Sequence, residues 1–203
     1  MMIVLCSNGL SSKNILKKMS EKTKKCKTAA LVVTADNEYK EKNYHVERVT
    51  AELETLNLCV DIFDLDVCPA EKLLNYDVVE FIGGNPFYLL NSIRKNNASE
   101  LLKTVANTKV LIGWSAAVFV FGPTLELVNM YSPEMNFWGL TDLRGIDLTK
   151  VEVLPHYSKF LDRFECFEEK CKAYEKKHAV EVIRLNDGEG VFIEDNVISI
   201  CHV

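Results

Sequence analysis

The chain has 203 residues, of which 48% are hydrophobic and 26% are charged, and its formal net charge is -5. This composition is typical of a globular protein, and the length predicts one domain over residues 1–203 that buries a sizeable core. An acidic chain lacks the general electrostatic attraction to phosphates on which most nucleic-acid-binding proteins depend, so we expect no nucleic-acid partner.

The N-terminal apolar run and the cysteines predict where the protein resides. The run "MMIVLCSNG" has no basic segment and is too short for a signal peptide or a membrane span, and no later window is long and apolar enough to span a membrane. The seven cysteines include no CxxC pair, which is typical of reduced thiols rather than of a disulfide framework or a zinc site. We therefore expect a cytoplasmic protein with no membrane partner and no metal.

Short β-branched runs alternate along the chain with longer segments of helical period, which indicates βαβ units. The predicted strands lie at residues 2–7, 28–34, 59–65, 77–83, 109–114, 150–156 and 179–185. The predicted helices lie at residues 13–25, 42–57, 86–107, 116–121 and 160–178. The last residues predict a hairpin that turns at Asp195-Asn196. The fold class is thus α/β, doubly wound around a mostly parallel sheet.

Ligands of open α/β sheets bind outside the carboxyl ends of the strands, so the segments where strands break into turns are the candidate site. Three such segments combine turn residues with polar side chains. They are "GGNP" at 83–86, "GWSAA" at 113–117 and "LPHY" at 154–157.

Ser115 follows one predicted strand and precedes a predicted helix, which is the context of a nucleophile elbow. The flanking positions of an elbow must be small, and here they are Gly113 and Ala117. A serine at the start of a helix is also a common N-cap, so the pentapeptide by itself leaves a structural interpretation open.

His156 follows the predicted strand at 150–156, and a neutral imidazole can accept the proton of a serine hydroxyl within hydrogen-bond reach. Its alternative is an ordinary packed or surface histidine. His178 and His202 are poorer candidates for a base. The glycines before Pro86 allow close backbone approach to a ligand, and the alternative there is a plain strand-to-helix turn.

Together, "GGNPFYLL", "GWSA" and "PHY" resemble the ordered motifs of the dipeptidase E and cyanophycinase-like serine peptidases. The resemblance implies a flavodoxin-like sheet related to class I glutamine amidotransferase domains and a small peptide substrate. We expect no cofactor, and either a monomer or a homodimer. It makes Ser115 the nucleophile and His156 the base. The N–H groups of Gly84 and Ala116 become the oxyanion donors, and Asn85 lies next to the substrate.

Three departures from the family pattern bear on activity. Ala117 stands where many members have Gly, and Pro86 replaces the usual Thr. The loop after the histidine is short, which leaves Arg163 as the nearest counterpart of an arginine that reads acidic side chains, and an aspartate preference does not carry over. The departures at Ala117 and Pro86 favour the alternative of an inactive ligand-binding or interaction domain with the same fold. An amidotransferase-like enzyme would need a cysteine at position 115.

The acid that orients His156 has two candidate regions. "LNDGEG" at 185–190 resembles the Leu-x-Glu/Asp-Gly segment of dipeptidase E and offers Asp187, whereas the segment after the elbow helix offers Glu126 or Glu134. We favour Asp187 because it follows a predicted strand whose neighbour ends at His156.

Overall fold

The computed structural model describes residues 1–203. The strands are β1 (Met2–Cys6), β2 (Thr28–Val32), β3 (Cys59–Phe63), β4 (Val78–Phe81), β5 (Val110–Trp114), β6 (Glu152–Leu154), β7 (Val182–Arg184), β8 (Gly190–Glu194) and β9 (Val197–Cys201). The helices are α1 (Lys13–Lys22), α2 (Val46–Glu54), α3 (Pro86–Lys95), α4 (Ser99–Thr108), α5 (Ala116–Phe121), α6 (Glu126–Tyr131), α7 (Tyr157–Arg163) and α8 (Phe167–His178). Three 3-10 turns lie at Lys40–Lys42, Ala70–Asn75 and Pro133–Met135.

Seven strands form the central sheet in the order β3-β2-β4-β5-β1-β8-β9. The first five in that order are mutually parallel. β8 pairs antiparallel with β1, and β9 pairs antiparallel with β8. The hairpin turns at Asp195 and Asn196, whose φ angles of 46° and 69° are those of a tight two-residue turn. The predicted α/β class with a mostly parallel sheet is confirmed.

The prediction that all the later strands continue one sheet is wrong. β6 and β7 pair only with each other, in a separate two-stranded parallel sheet. Both edges of β1 are already occupied, one by β5 and the other by β8, so neither β6 nor β7 can pair with β1. Local periodicity detects a strand, but it does not reveal whether an edge is free to receive it.

Two of the predicted helices are each divided in the structure. The segment 86–107 breaks at Asn97, which adopts a left-handed φ of 52°, a conformation that asparagine tolerates well. The segment 160–178 breaks at Cys166, with a φ of 50°, and its first part begins earlier, at Tyr157. The short helix α6 was not predicted.

Both faces of the central sheet are covered by helices, as a doubly wound fold requires. The smaller core layer lies under α1 and α2 and includes Ile15, Met19, Val49 and Leu53. The larger layer contains the buried residues of α3, α4, α5, α6 and α8. None of the helices combines the length and apolar character needed to cross a membrane.

Candidate active site

Ser115 lies at a strained turn between β5 and α5. Its φ of 52° and ψ of -109° place it in a region that costs a non-glycine residue about 1–3 kcal/mol. Its side chain makes no capping hydrogen bond to α5, so the N-cap interpretation does not explain it. Such strain is found where the surrounding structure holds a functional side chain in place.

Steric contacts explain the small residues on either side of Ser115. A Cβ atom at Gly113 would lie 2.5 Å from the ring of Phe121 and 3.0 Å from the Cβ of Ala117. The close approach of β5 to α5 therefore requires a glycine at position 113. The methyl group of Ala117 is accommodated because its neighbour across this contact has no side chain.

The Gly83-Gly84 turn packs directly against the elbow. A Cβ atom at Gly83 would lie 2.9 Å from the Cβ of Ser115, and one at Gly84 would lie 2.3 Å from the carbonyl oxygen of Ala35. Gly84 also has a φ of 151°, which few side-chain-bearing residues adopt. Both glycines are thus required by the backbone geometry next to the serine.

Two backbone N–H groups beside Ser115 are free to bind a ligand. The N–H of Gly84 donates to no backbone acceptor, and Ala116 is the first residue of α5, where an N–H group has no partner within its helix. An oxyanion at this position would meet two donors and the positive end of the helix dipole.

Asn85 lines the same cleft, but its polar atoms are occupied. Its Oδ1 accepts from the N–H groups of Phe87 and Tyr88, at 2.9 and 3.1 Å, and its Nδ2 donates to the Met135 carbonyl at 2.8 Å. Its own N–H donates to the Ala35 carbonyl at 2.8 Å. Asn85 therefore caps α3 and binds the loop at Met135. It contributes to the surface of the cleft, but its N–H groups and side-chain oxygen are already hydrogen-bonded within the protein.

His156 and Asp187 come together at the ends of the paired strands β6 and β7. The Nδ1 of His156 lies 2.6 Å from Oδ1 of Asp187, so that its Nε2 is left for another partner. His156 has a left-handed φ of 56° and immediately precedes α7. The structure thus brings a carboxylate to the ring nitrogen that a general base needs to have fixed.

Ser7, which the sequence reasoning missed, connects this pair to the central sheet. It is fully buried just after β1. Its Oγ donates to Oδ1 of Asp187 at 2.8 Å and accepts from the N–H of His156 at 2.9 Å. The only signal in the sequence was its position at the carboxyl end of a predicted strand.

Asp187 remains charged in this environment. Burial by itself raises the pKa of Asp187, but hydrogen bonds from Lys159 and Ser7 and the interaction with His156 outweigh it, so the pKa lies below its usual value. The second carboxylate oxygen of Asp187 forms an ion pair with Lys159. An ionised Asp187 favours the tautomer of His156 that carries its proton on Nδ1.

The competing acids and histidines lie elsewhere. Glu126 binds Lys177 at 2.6 Å and His178 at 3.0 Å, and Glu134 accepts from Ser132. His202 is exposed and binds Glu189 at 2.6 Å. None of these groups reaches His156.

Ser115 and His156 line one continuous cleft that has a polar pocket of about 650 Å³ and an aromatic pocket of about 500 Å³. The two side chains are not hydrogen-bonded to each other here, and in serine hydrolases such bonds often tighten only when substrate is bound. The polar pocket also contains His45, which the sequence did not single out. Burial, and then the charge of Arg48, lowers the pKa of His45, and its ring packs edge-on against Trp114 at 5.1 Å.

Comparison with known proteins identifies relatives over most of the chain. The model of peptidase family S51 matches residues 3–201. The uncharacterized peptidase Lmo0363 of Listeria monocytogenes is 29% identical over 139 residues, which are 65% of this chain and 66% of that protein. Peptidase E of Shewanella sp. strain ANA-3 is 26% identical over 117 residues, 57% of this chain and 48% of that protein. The matches thus span from about half to just under two thirds of these relatives.

Solved structures show the same fold. A candidate peptidase E protein from Listeria monocytogenes EGD-e superposes with a TM-score of 0.78 at 23% identity, covering 100% of this chain and 98% of that one. A peptidase from an acI-B1 actinobacterium has a TM-score of 0.69 at 14% identity, with 100% and 87% coverage.

Proposed function

Because the chain belongs to peptidase family S51, we propose that it is a serine peptidase that hydrolyses small peptides, with Ser115 as nucleophile, His156 as general base and Asp187 as the acid that orients the base. The observation that carries the proposal is the 2.6 Å contact between Nδ1 of His156 and Asp187, in the cleft that Ser115 also lines.

The proposed reaction uses these groups in a fixed order. The Oγ of Ser115 attacks the peptide carbonyl while Nε2 of His156 takes its proton, and the N–H groups of Gly84 and Ala116 hold the oxyanion of the tetrahedral intermediate. His156 then returns the proton to the departing amine. A water molecule, activated by the same histidine, hydrolyses the acyl-enzyme.

The cations of the cleft differ in their availability to a substrate. Lys159 is paired with Asp187, whereas Arg163 is exposed and lines both pockets without a carboxylate partner. We assign Arg163 the contact with a carboxylate of the peptide, and we propose no preference for an N-terminal aspartate. A cytoplasmic location and a monomeric or homodimeric state, with the chain as a single domain, complete the proposal. The free thiols of all seven cysteines support the location.

The test is covalent labelling with a fluorophosphonate probe, read by intact mass and peptide mapping. We expect one adduct, on Ser115, and its loss in Ser115→Ala. The matched control is Ser92→Ala, which removes another buried serine hydroxyl, located on α3. Absence of any adduct in folded protein that still binds short peptides would favour the inactive binding domain of the same fold, and an adduct on another residue would contradict the choice of nucleophile.

A further inference from the structure

The cleft continues past Ser115 into an aromatic pocket that the proposed reaction does not by itself require. Phe119, Val128 and Tyr131 line it from the side of the larger core layer, and Phe160 and Phe164 line it from α7 and the residue after it. Ser115 and Ala116 lie on its border. A side chain on a peptide bound at Ser115 would therefore reach this pocket directly.

The inner part of the pocket carries no charge. Tyr131 is its one buried residue with a titratable group, and burial raises the pKa of Tyr131, so its hydroxyl stays neutral. The acidic and basic residues that line the pocket, His156 apart, are Glu134 and Arg163, and both are exposed to solvent. The pocket thus offers an apolar interior with a polar rim.

The walls of the pocket are held in place by aromatic packing. The ring of Tyr131 lies 5.7 Å from that of Phe160, 4.9 Å from that of Phe164 and 5.0 Å from that of Phe167. The ring of Phe160 in turn lies 5.5 Å from the imidazole of His156. Such contacts between rings are favourable beyond the area that they bury, so the pocket is preformed. Its wall residue Phe160 also packs against His156.

The opposite side of the cleft differs in chemistry. It is lined by polar groups, Asp36, Asn43 and His45 among them, together with the rings of Tyr44 and Trp114. Asp36 is already bound to the amide of Asn43 at 2.6 Å and to the N–H of Tyr39 at 3.0 Å. A peptide that spans Ser115 would therefore meet a mixed surface of polar groups and rings on one side and an apolar interior on the other.

We propose that the aromatic pocket is a side-chain subsite that selects peptides with a bulky apolar residue, aromatic or long aliphatic, next to the bond that is cleaved. Its volume of about 500 Å³ lies within the range of small-ligand pockets, about 300–1,000 Å³. The inference rests on the proposed function in one respect, that the peptide is bound with its carbonyl at Ser115.

The experiment measures binding without turnover. Isothermal calorimetry on Ser115→Ala compares alanyl-alanine with alanyl-phenylalanine, phenylalanyl-alanine, alanyl-leucine and leucyl-alanine. We expect the peptides that carry phenylalanine or leucine at one of the two positions to bind at least about tenfold more tightly than alanyl-alanine. The reason is that each methylene buried in an apolar pocket increases the binding affinity. Equal binding of all five peptides would overturn the proposal.

A variant within α6 links the preference to the pocket. Val128→Phe fills the pocket and is expected to abolish the preference for the large side chains while binding of alanyl-alanine is kept. The matched control is Met130→Phe, which adds a ring on the same helix but outside the cleft, and it should keep the preference. Val128→Thr, which has nearly the same shape, provides a second variant if the larger residue prevents folding, and it should reduce the preference severalfold. Preference retained in a folded Val128 variant would contradict the assignment.

The outcomes separate this inference from the proposed function. Labelling of Ser115 without any side-chain preference would support the proposed peptidase activity and contradict the proposed subsite. A preference that depends on Val128, in a protein that the fluorophosphonate does not label, would support the proposed subsite and contradict the proposed peptidase activity.

Discussion

The residues of the proposed triad lie in two regions that are held together by different physical means. The elbow region consists of β5, Ser115 and α5, within the central sheet, and the histidine region consists of β6, β7, α7 and α8, outside it. Steric necessity fixes the elbow, because a Cβ at Gly113 or Gly84 would overlap its neighbours. Hydrogen bonds from Ser7 and aromatic packing fix the histidine region. The nucleophile is thus built into the sheet, whereas the base is docked against it.

Two carboxylic acids in or next to these regions differ in their hydrogen-bond partners. Asp187, in the histidine region, has hydrogen-bond or ion-pair partners on both oxygens. Glu80, on β4 next to the elbow strand, is fully buried, and neither of its carboxyl oxygens nor Nε1 of Trp114 has a hydrogen-bond partner. Burial, and then the charge of Glu52, raises the pKa of Glu80 well above its usual value. Nε1 of Trp114 lies near the carboxyl group of Glu80, but the geometry of the two groups forms no hydrogen bond.

Loss of the base gives the largest expected effect and tests whether the histidine region supplies the general base. His156→Ala should reduce kcat/KM for a cleaved peptide by at least about a thousandfold, because removal of a base in comparable triads costs nearly as much as removal of the nucleophile. The control is His178→Ala, whose ring binds Glu126 on α6 and which should keep near wild-type turnover. If His156→Ala retains more than about a tenth of the turnover, another group is the base.

Asp187→Asn tests the orienting contact and should have a smaller effect. The amide no longer favours the required tautomer of His156, and we expect a loss of about 10²- to 10⁴-fold in kcat with little change in KM. Ser7→Ala serves as the comparison, because it removes one hydrogen bond from Asp187 but leaves the carboxylate, and its loss should be about tenfold. Full activity of Asp187→Asn, measured beside an unchanged melting temperature, would exclude Asp187 from the mechanism.

Glu80→Gln gives the smallest effect, on stability alone, and probes the strand β4 that pairs with the elbow strand. The folded-state pKa of Glu80 is raised above an unfolded value of about 4.3, so the folded state keeps a proton that the unfolded chain releases as the pH rises. Wild-type stability is therefore highest, as far as this group is concerned, below the unfolded pKa. Between the two pKa values it falls by about 1.4 kcal/mol per pH unit.

The measurement for Glu80 is urea unfolding at several pH values between about 4 and 7, the range just above its unfolded pKa. The free energy of unfolding of Glu80→Gln relative to wild type should increase as the pH rises. Glu47→Gln, at an exposed position on α2, is the matched control. A difference between Glu80→Gln and wild type that stays constant with pH would show that Glu80 does not hold its proton in the folded state.

What could be predicted from the sequence was local. The strand-turn-helix around Ser115, the glycines before Asn85 and the hairpin at Asp195-Asn196 depend on contacts and φ angles within a few residues, and these are encoded by residue type. The pairing of the strands that precede His156 and Asp187 was also anticipated, and β6 and β7 do lie side by side.

Tertiary structure decided the rest. β6 and β7 pair with each other outside the central sheet, and β8, which comes later in the chain, takes the second edge of β1. The hydrogen bonds of Ser7 to residues 149 and 180 positions away, and the rings that meet to form the aromatic pocket, depend on that arrangement. The sequence by itself determined an elbow, a histidine and an acid at the ends of strands, because the geometry of a turn is local. Their meeting in one cleft depends on which strand edges are free, and only the folded chain determines that.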